Sequence, residues 1–325
     1  MRNFRFATRS CLQKRFKPCP SSWLTAIEVS SLDAWGNNMI RLLLFLAITP
    51  AFVFAQDKYF DSNGVRIRYV EQGSGEPIVL LHGLSGDIER NWINTGVLPA
   101  LSKDFRAIAV DFRGHGKSDK PHDPKAYGME VRLDVVRLLD HLKIPRAHIL
   151  GYSYGGQIVS KLLTTHPERF ITAILGGSAA VRGTLNPQAI ERLAAEFEGP
   201  NAFRTIVLQV WPSKEPAPAE EDIRRYAQQF AAPNDLRAMA ALTRSWSDVS
   251  VTDAELKAIR VPTLAVIGTA DALLANVTTM KEVWPELKLV TIEGGTHSNI
   301  VPPGRGAAAR PEFIKAIREF IDIHK

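Results

Sequence analysis

Gly151-Tyr152-Ser153-Tyr154-Gly155 decides how this chain is read. The stretch follows a short apolar run, His148-Ile149-Leu150, and opens a segment in which Ile158, Leu162 and Leu163 recur at helical spacing. A strand that enters a helix through G-x-S-x-G must turn too tightly for ordinary side chains. The glycines relieve the crowding, and the serine hydroxyl is pushed out to where a base can take its proton. Small residues around a serine also occur in plain turns, so the strand before it and the helix after it carry the reading.

The pattern on either side agrees. Val65 to Val70 alternates at period two after a turn at Asn63-Gly64 and reads as a half-buried strand. Pro77 to Leu81, Ala107 to Val110, Ile171 to Leu175 and Thr263 to Ile267 are continuous apolar runs, as in strands buried on both faces. Leu287 to Ile292 is a further candidate strand. Helical spacing marks Val131 to Leu142 and a last helix, Pro311 to Ile323. Strands alternating with helices predict an α/β fold, a mainly parallel central sheet with helices on both faces. Between Ala179 and Ile259 the rhythm changes to Ala-, Glu- and Arg-rich helical spacing broken by a Pro/Ala patch at 211–218, with no convincing strand. The expected organisation is a core formed by residues 56–178 and 260–325, with a helical cap at 179–259.

Charge narrows the partners. The 325 residues carry 40 Lys/Arg against 34 Asp/Glu, a formal +6. Residues 1–55 hold seven of those bases and only two of the acids, which leaves 33 against 32 in the rest, a net +1. The nearly neutral remainder offers no basic patch for nucleic acid. Within the leader, Arg41 precedes the apolar run Leu42 to Ile48, which continues through Thr49-Pro50 to Val53-Phe54-Ala55. That run is short for a membrane span, which needs about 20 residues, but suits a signal peptide over 39–55 cleaved after Ala55. Residues 1–38 are then read as a spurious or disordered extension, with translation from Met39; an uncleaved anchor is the competing account. Both cysteines, Cys11 and Cys19, precede the expected cut, so the mature chain would suit an oxidising periplasmic or secreted compartment.

A serine hydroxyl needs an imidazole to accept its proton and a carboxylate to hold that imidazole in the right tautomer. Such groups belong in loops at the carboxyl edge of a parallel sheet. Asp271 follows the run ending Val266-Ile267, and His297 follows the run ending at Ile292 through Glu293-Gly294-Gly295-Thr296. Asp248 and Asp253, late in the insertion, are the reserve acids. No His/Cys/Asp/Glu cluster has metal-ligand spacing, and no glycine run ends in the Lys-Ser/Thr of a phosphate loop. No metal or cofactor is therefore expected.

Taken together, Leu81-His82-Gly83-Leu84, Asp111-Phe112-Arg113-Gly114-His115-Gly116-Lys117-Ser118-Asp119, the serine turn and the Asp271/His297 pair make the chain resemble the α/β-hydrolases of the capped serine-esterase type, over roughly residues 59–325. The resemblance implies that Leu84 and Tyr154 donate backbone N–H groups to an oxyanion, that His82 is structural, and that Arg113 and His115 shape a turn. A serine rather than an aspartate nucleophile implies an acyl-enzyme, hence an exported hydrolase of carboxylic esters or related acyl compounds with a small-molecule substrate. Perhydrolase or haloperoxidase chemistry, carbon–carbon bond hydrolysis, and a ligand-binding receptor on the same scaffold are the alternatives. For the substrate pocket the candidates are His82, Trp92, Tyr152, Trp211, Tyr226 and Trp246, with Phe203 and Phe230 as further aromatics. After signal cleavage no membrane partner is expected, and the sequence assigns no oligomeric state.

Overall fold

The computed structural model describes residues 56–298 and 304–324. The apolar run of the leader, both cysteines and the expected cleavage position lie outside them. Eight strands form one sheet: β1 (Lys58–Ser62), β2 (Val65–Gln72), β3 (Pro77–Leu81), β4 (Arg106–Val110), β5 (Ala147–Tyr152), β6 (Phe170–Gly176), β7 (Thr263–Gly268) and β8 (Lys288–Ile292). Their order is β1-β2-β4-β3-β5-β6-β7-β8. β1 and β2 pair antiparallel with each other and β2 with β4, and every other pairing is parallel. Asn63 and Gly64 both have positive φ (56° and 79°), the two-residue turn that matches strand twist and sets Ser62 opposite Val65.

The chain passes from β3 outward to β4 and then crosses back to β5 on the other side of β3. Loops leaving β3 and β5 therefore diverge at their carboxyl ends and leave a crevice there. Alternation along each buried strand feeds two cores. Val79, Leu81 and Ile149 join one, with α2 (Met129–His141) and α3 (Tyr154–Thr165). Ile78, Leu80 and Leu150 join the other, with α1 (Val97–Leu101) and the last helix (Pro311–Asp322). His148 is buried within β5. Its Nδ1 sits 2.8 Å from Thr172 Oγ, and the Phe105 ring packs edge-on against it.

Five helices lie between β6 and β7: α4 (Pro187–Phe197), α5 (Arg204–Val210), α6 (Glu220–Ala231), α7 (Leu236–Arg244) and α8 (Asp253–Ala258). Their starts are set locally. Asn186 accepts from the Gln188 and Ala189 amides, Asp235 from the Ala238 amide, and Thr252 forms a reciprocal cap with Glu255. Val251 N–H donates to Val181 O at 2.9 Å, so the two ends of the insertion meet at a narrow neck. Phe197, Phe203 and Phe230 pack edge-on or tilted inside it and continue into the core on that face of the sheet. Beyond β7, α9 (Leu274–Val283) and α10 (Pro311–Asp322) complete the fold. Among the described residues no helix is long and apolar enough to cross a membrane.

Candidate active site

Ser153 stands between β5 and α3 at φ 52°, ψ −116°, a backbone conformation that side chains other than glycine rarely take. Its neighbours hold it there. Ser153 N–H donates to Gly176 O at 2.8 Å, and Ser178 Oγ donates to Ser153 O at 2.7 Å. The flanking glycines are required by space. A methyl at Gly151 would lie 2.3 Å from the Gly155 backbone, and one at Gly155 would lie 2.2 Å from Leu81 O.

His297 and Asp271 arrive from the loops after β8 and β7. Ser153 Oγ lies 3.0 Å from His297 Nε2, and His297 Nδ1 lies 2.9 Å from Asp271 Oδ2. With the proton on Nδ1, the imidazole donates to the carboxylate and accepts from the serine. Asp271 Oδ1 also accepts from the Leu273 amide at 2.8 Å, which fixes the carboxylate. Asp271 and His297 are both buried, so their contact is shielded from water. The reserve acids lie elsewhere: Asp253 pairs with Arg182 at 3.2 Å, and Asp248 lies against Gly128.

The Leu84 and Tyr154 amides flank Ser153. Tyr154 is the first residue of α3, so its N–H has no carbonyl of its own helix to bond. Leu84 follows Gly83, which packs against Ser153 closely enough that a methyl there would touch its Cβ at 3.4 Å. Two histidines build this turn. His82 donates from Nδ1 to Gly83 O at 2.8 Å and accepts from the Phe112 amide on Nε2 at 3.1 Å. His115 Nε2 lies 2.6 Å from Leu84 O. Burial first of all pushes His82 down to about 4 and His115 to about 3, so both are neutral near pH 7. Beneath them Asp111 accepts from the Ile88 amide (2.8 Å), the Lys117 amide (2.9 Å) and Arg68 Nη1 (2.9 Å). The link from His115 to Leu84 was hidden in the sequence, where the Asp111–Asp119 stretch reads only as a turn.

A cavity of about 110 Å³ opens on Ser153 and His297. Of the aromatic candidates, Tyr152 and Phe230 line it, together with Leu84, Arg90, Asn91, Thr95, Ile206 and Val210. The other pocket candidates lie away from this cavity. His82 is fully buried and has both ring nitrogens engaged by backbone groups. Trp92 points from a short π-helical turn (Glu89–Ile93) into the core on the far face. Trp211 donates its N–H to Pro216 O at 2.8 Å and packs on Tyr226, so that both stay within the cap. Phe203 packs on Phe197 and Phe230. Trp246 donates to Gln157 Oε1 at 3.1 Å and lines a separate open groove of about 850 Å³ between cap and core. α5 divides the two spaces, Ile206 and Val210 facing the small one and Thr205 and Gln209 the large one.

A serine on a strand–helix turn and an imidazole between it and a carboxylate define the class of site found in hydrolases that use a serine nucleophile. The alpha/beta hydrolase fold family profile matches residues 76–302, more than half of the sequence, and the chain belongs to that family. It is 31% identical over 216 residues (65% of this chain, 57% of the relative) to a dihydrolipoyllysine-residue acetyltransferase component of the acetoin cleaving system of Pseudomonas putida. It is 40% identical over 120 residues (36% and 42%) to a 2-hydroxymuconate semialdehyde hydrolase of Pseudomonas sp. (strain CF600). The chain thus spans about half the length of these curated relatives. The fold is shared with an enol-lactonase from Burkholderia xenovorans LB400 (TM-score 0.64, 24% identity, 82% of this chain and 100% of that one). Est816, an N-acyl homoserine lactone degrading enzyme, is also similar (TM-score 0.62, 27% identity, 81% and 100%).

Proposed function

We propose that this protein is a serine hydrolase that cleaves small carboxylic esters or related acyl compounds through an acyl-enzyme on Ser153. The observation that carries this is the unbroken relay from Ser153 Oγ through His297 to Asp271, at 3.0 and 2.9 Å. His297 Nε2 takes the hydroxyl proton as Ser153 attacks the substrate carbonyl. The Leu84 and Tyr154 amides receive the oxyanion, where one such donor contributes roughly 3 kcal/mol to lowering the barrier. His297 then protonates the leaving alcohol, and water enters by the same steps in reverse order. Asp271 holds the imidazole.

The cavity of about 110 Å³ supports a small acyl group. Ile206, Val210 and Phe230 give it an apolar side. The charges of the loop after β3 are largely spent within the protein: Asp87 on Arg90 at 2.8 Å, and Glu89 on Arg68 at 2.6 Å. A second reading, hydrolysis of a carbon–carbon bond next to a carbonyl, draws support from the 40% identity to the semialdehyde hydrolase and from Arg90 in the cavity wall. Turnover of p-nitrophenyl acetate and butyrate favours the ester reading. Inactivity on both, with cleavage of a vinylogous diketone, favours the second.

The primary test is a fluorophosphonate probe. It should label the wild type and leave Ser153→Ala unlabelled, and a folded wild type that resists labelling would point instead to a ligand-binding protein. We also propose export after removal of residues 39–55. Mass spectrometry of the exported chain should find Gln56 at the N-terminus, and any other start would sink that cut.

A further inference from the structure

Tyr152, the residue before the nucleophile, spends its hydroxyl on the segment that carries the base. Its Oη donates to His297 O at 2.7 Å. His297 lies on the excursion between β8 and α10, so the phenol ties that excursion to the end of β5. The same excursion is closed near its ends by backbone bonds: Thr296 N–H to Arg305 O and Ala307 N–H to Thr296 O, each 2.9 Å. The ring is accommodated deliberately. A methyl at Gly176 would lie 2.7 Å from Tyr152 Cδ2, and one at Gly177 (φ 51°) would lie 3.0 Å from its Oη. Phe313 of α10 packs edge-on at 6.1 Å, and the imidazole of His297 lies tilted at 5.8 Å.

Mere filling of this space would not need the oxygen, since phenylalanine has the same ring. The hydroxyl sets the distance between two parts of one site. Ser153 is fixed by β5, and the residue beside it on the same strand end holds the His297 backbone. We propose that Tyr152 is a positioning residue, whose hydroxyl keeps His297 Nε2 within reach of Ser153 Oγ. A displacement of about 1 Å between reacting groups can cost roughly 100-fold in rate. The rate arm of the test rests on the serine-hydrolase reading, whereas the spectroscopic arm does not.

In the full chain, Tyr152→Phe should lower kcat on p-nitrophenyl acetate by about 10- to 100-fold with KM within about twofold. Fluorophosphonate labelling should slow by the same factor. The low-field proton resonance of His297 Nδ1, bonded to Asp271, should broaden or vanish through exchange with water. Phe313→Leu loosens the packing on the same ring but keeps the hydroxyl. It should lower Tm while leaving kcat and the proton resonance as in the wild type. The proposal is overturned if Tyr152→Phe keeps wild-type kcat, labelling and resonance, or if both variants lose activity only in step with Tm. Should the wild type neither turn over an ester nor react with the probe, the functional reading falls, and the resonance comparison alone decides the role of Tyr152.

Discussion

The carboxyl edge of the sheet and the helices of the insertion are held together by different means. At the edge, single atoms are paired one to one: a serine oxygen, two imidazole nitrogens and a carboxylate, each with a named partner at 2.8–3.2 Å. In the cap, capped amphipathic helices bury phenylalanines against one another, and many apolar choices would fill the same volume. On the proposed function, the first region would fix the reaction and the second the molecules admitted. Substitutions should therefore act on the two in different currencies: rate and folding at the edge, selectivity in the cap.

The largest effect is expected from Asp271→Asn. An amide can turn its own N–H toward His297 and favour the wrong tautomer, so kcat should fall about 10⁴-fold with near-native circular dichroism. A drop of less than tenfold would place the orienting acid elsewhere. Next, one methyl can be inserted in each region. Gly155→Ala forces a carbon to within 2.2 Å of Leu81 O and should destabilise by about 3 kcal/mol in urea. Gly199→Ala in the cap meets nothing nearer than 3.4 Å and should change stability by less than about 1 kcal/mol. Equal shifts would erase the contrast.

Acid sensitivity comes third. The insertion contains none of the eight histidines, while His82 and His115 are held neutral in the core. The charged groups facing them are Asp87 and Arg90 for His82 and Asp111 for His115, whose ring also lies beside His82. Unfolded histidines take up protons below about pH 6.5, whereas the folded pair resists until about 4 and 3. Stability should thus hold above pH 7 and decline as pH falls from 6.5, by up to about 1.4 kcal/mol per unit for each ring. Thermal melts of His82→Asn should show a shallower decline, and an unchanged slope would assign the sensitivity to other groups. The smallest effect is expected from Phe230→Leu. It should shift the butyrate-to-acetate ratio of kcat/KM by about tenfold while the probe reaction stays within about threefold. A large loss of probe reaction would mean that the cap also shapes the relay.

What could be read from sequence follows the same divide. Continuous apolar runs gave β3 to β7 nearly residue by residue, because strands buried on both faces leave no polar positions to confuse the period. β1 escaped because an edge strand reading Lys-Tyr-Phe-Asp-Ser buries only Phe60 and Ser62. α9 escaped because only Val277 and Met280 of its ten residues are buried, too few to mark a face. Ser153, Asp271 and His297 stood out through the order of turns around them. The cavity wall did not, since Ile206 and Val210 look like any apolar pair one helical turn apart. Trp92, Trp211 and Tyr226 drew attention by size alone, and residue type does not reveal the direction in which a ring points.

Asp111 lies outside the cavity, yet it is shared property. One of its oxygens holds the Ile88 amide of the loop that begins at Leu84, and the other holds Lys117 and Arg68. Two stretches of chain that do not line the cavity are thereby geared to the turn that carries Leu84. On the proposed function, damage at any tooth of that gear would be inherited by the reaction at a distance, and tolerance of sequence drift would be narrower than the cavity wall alone suggests.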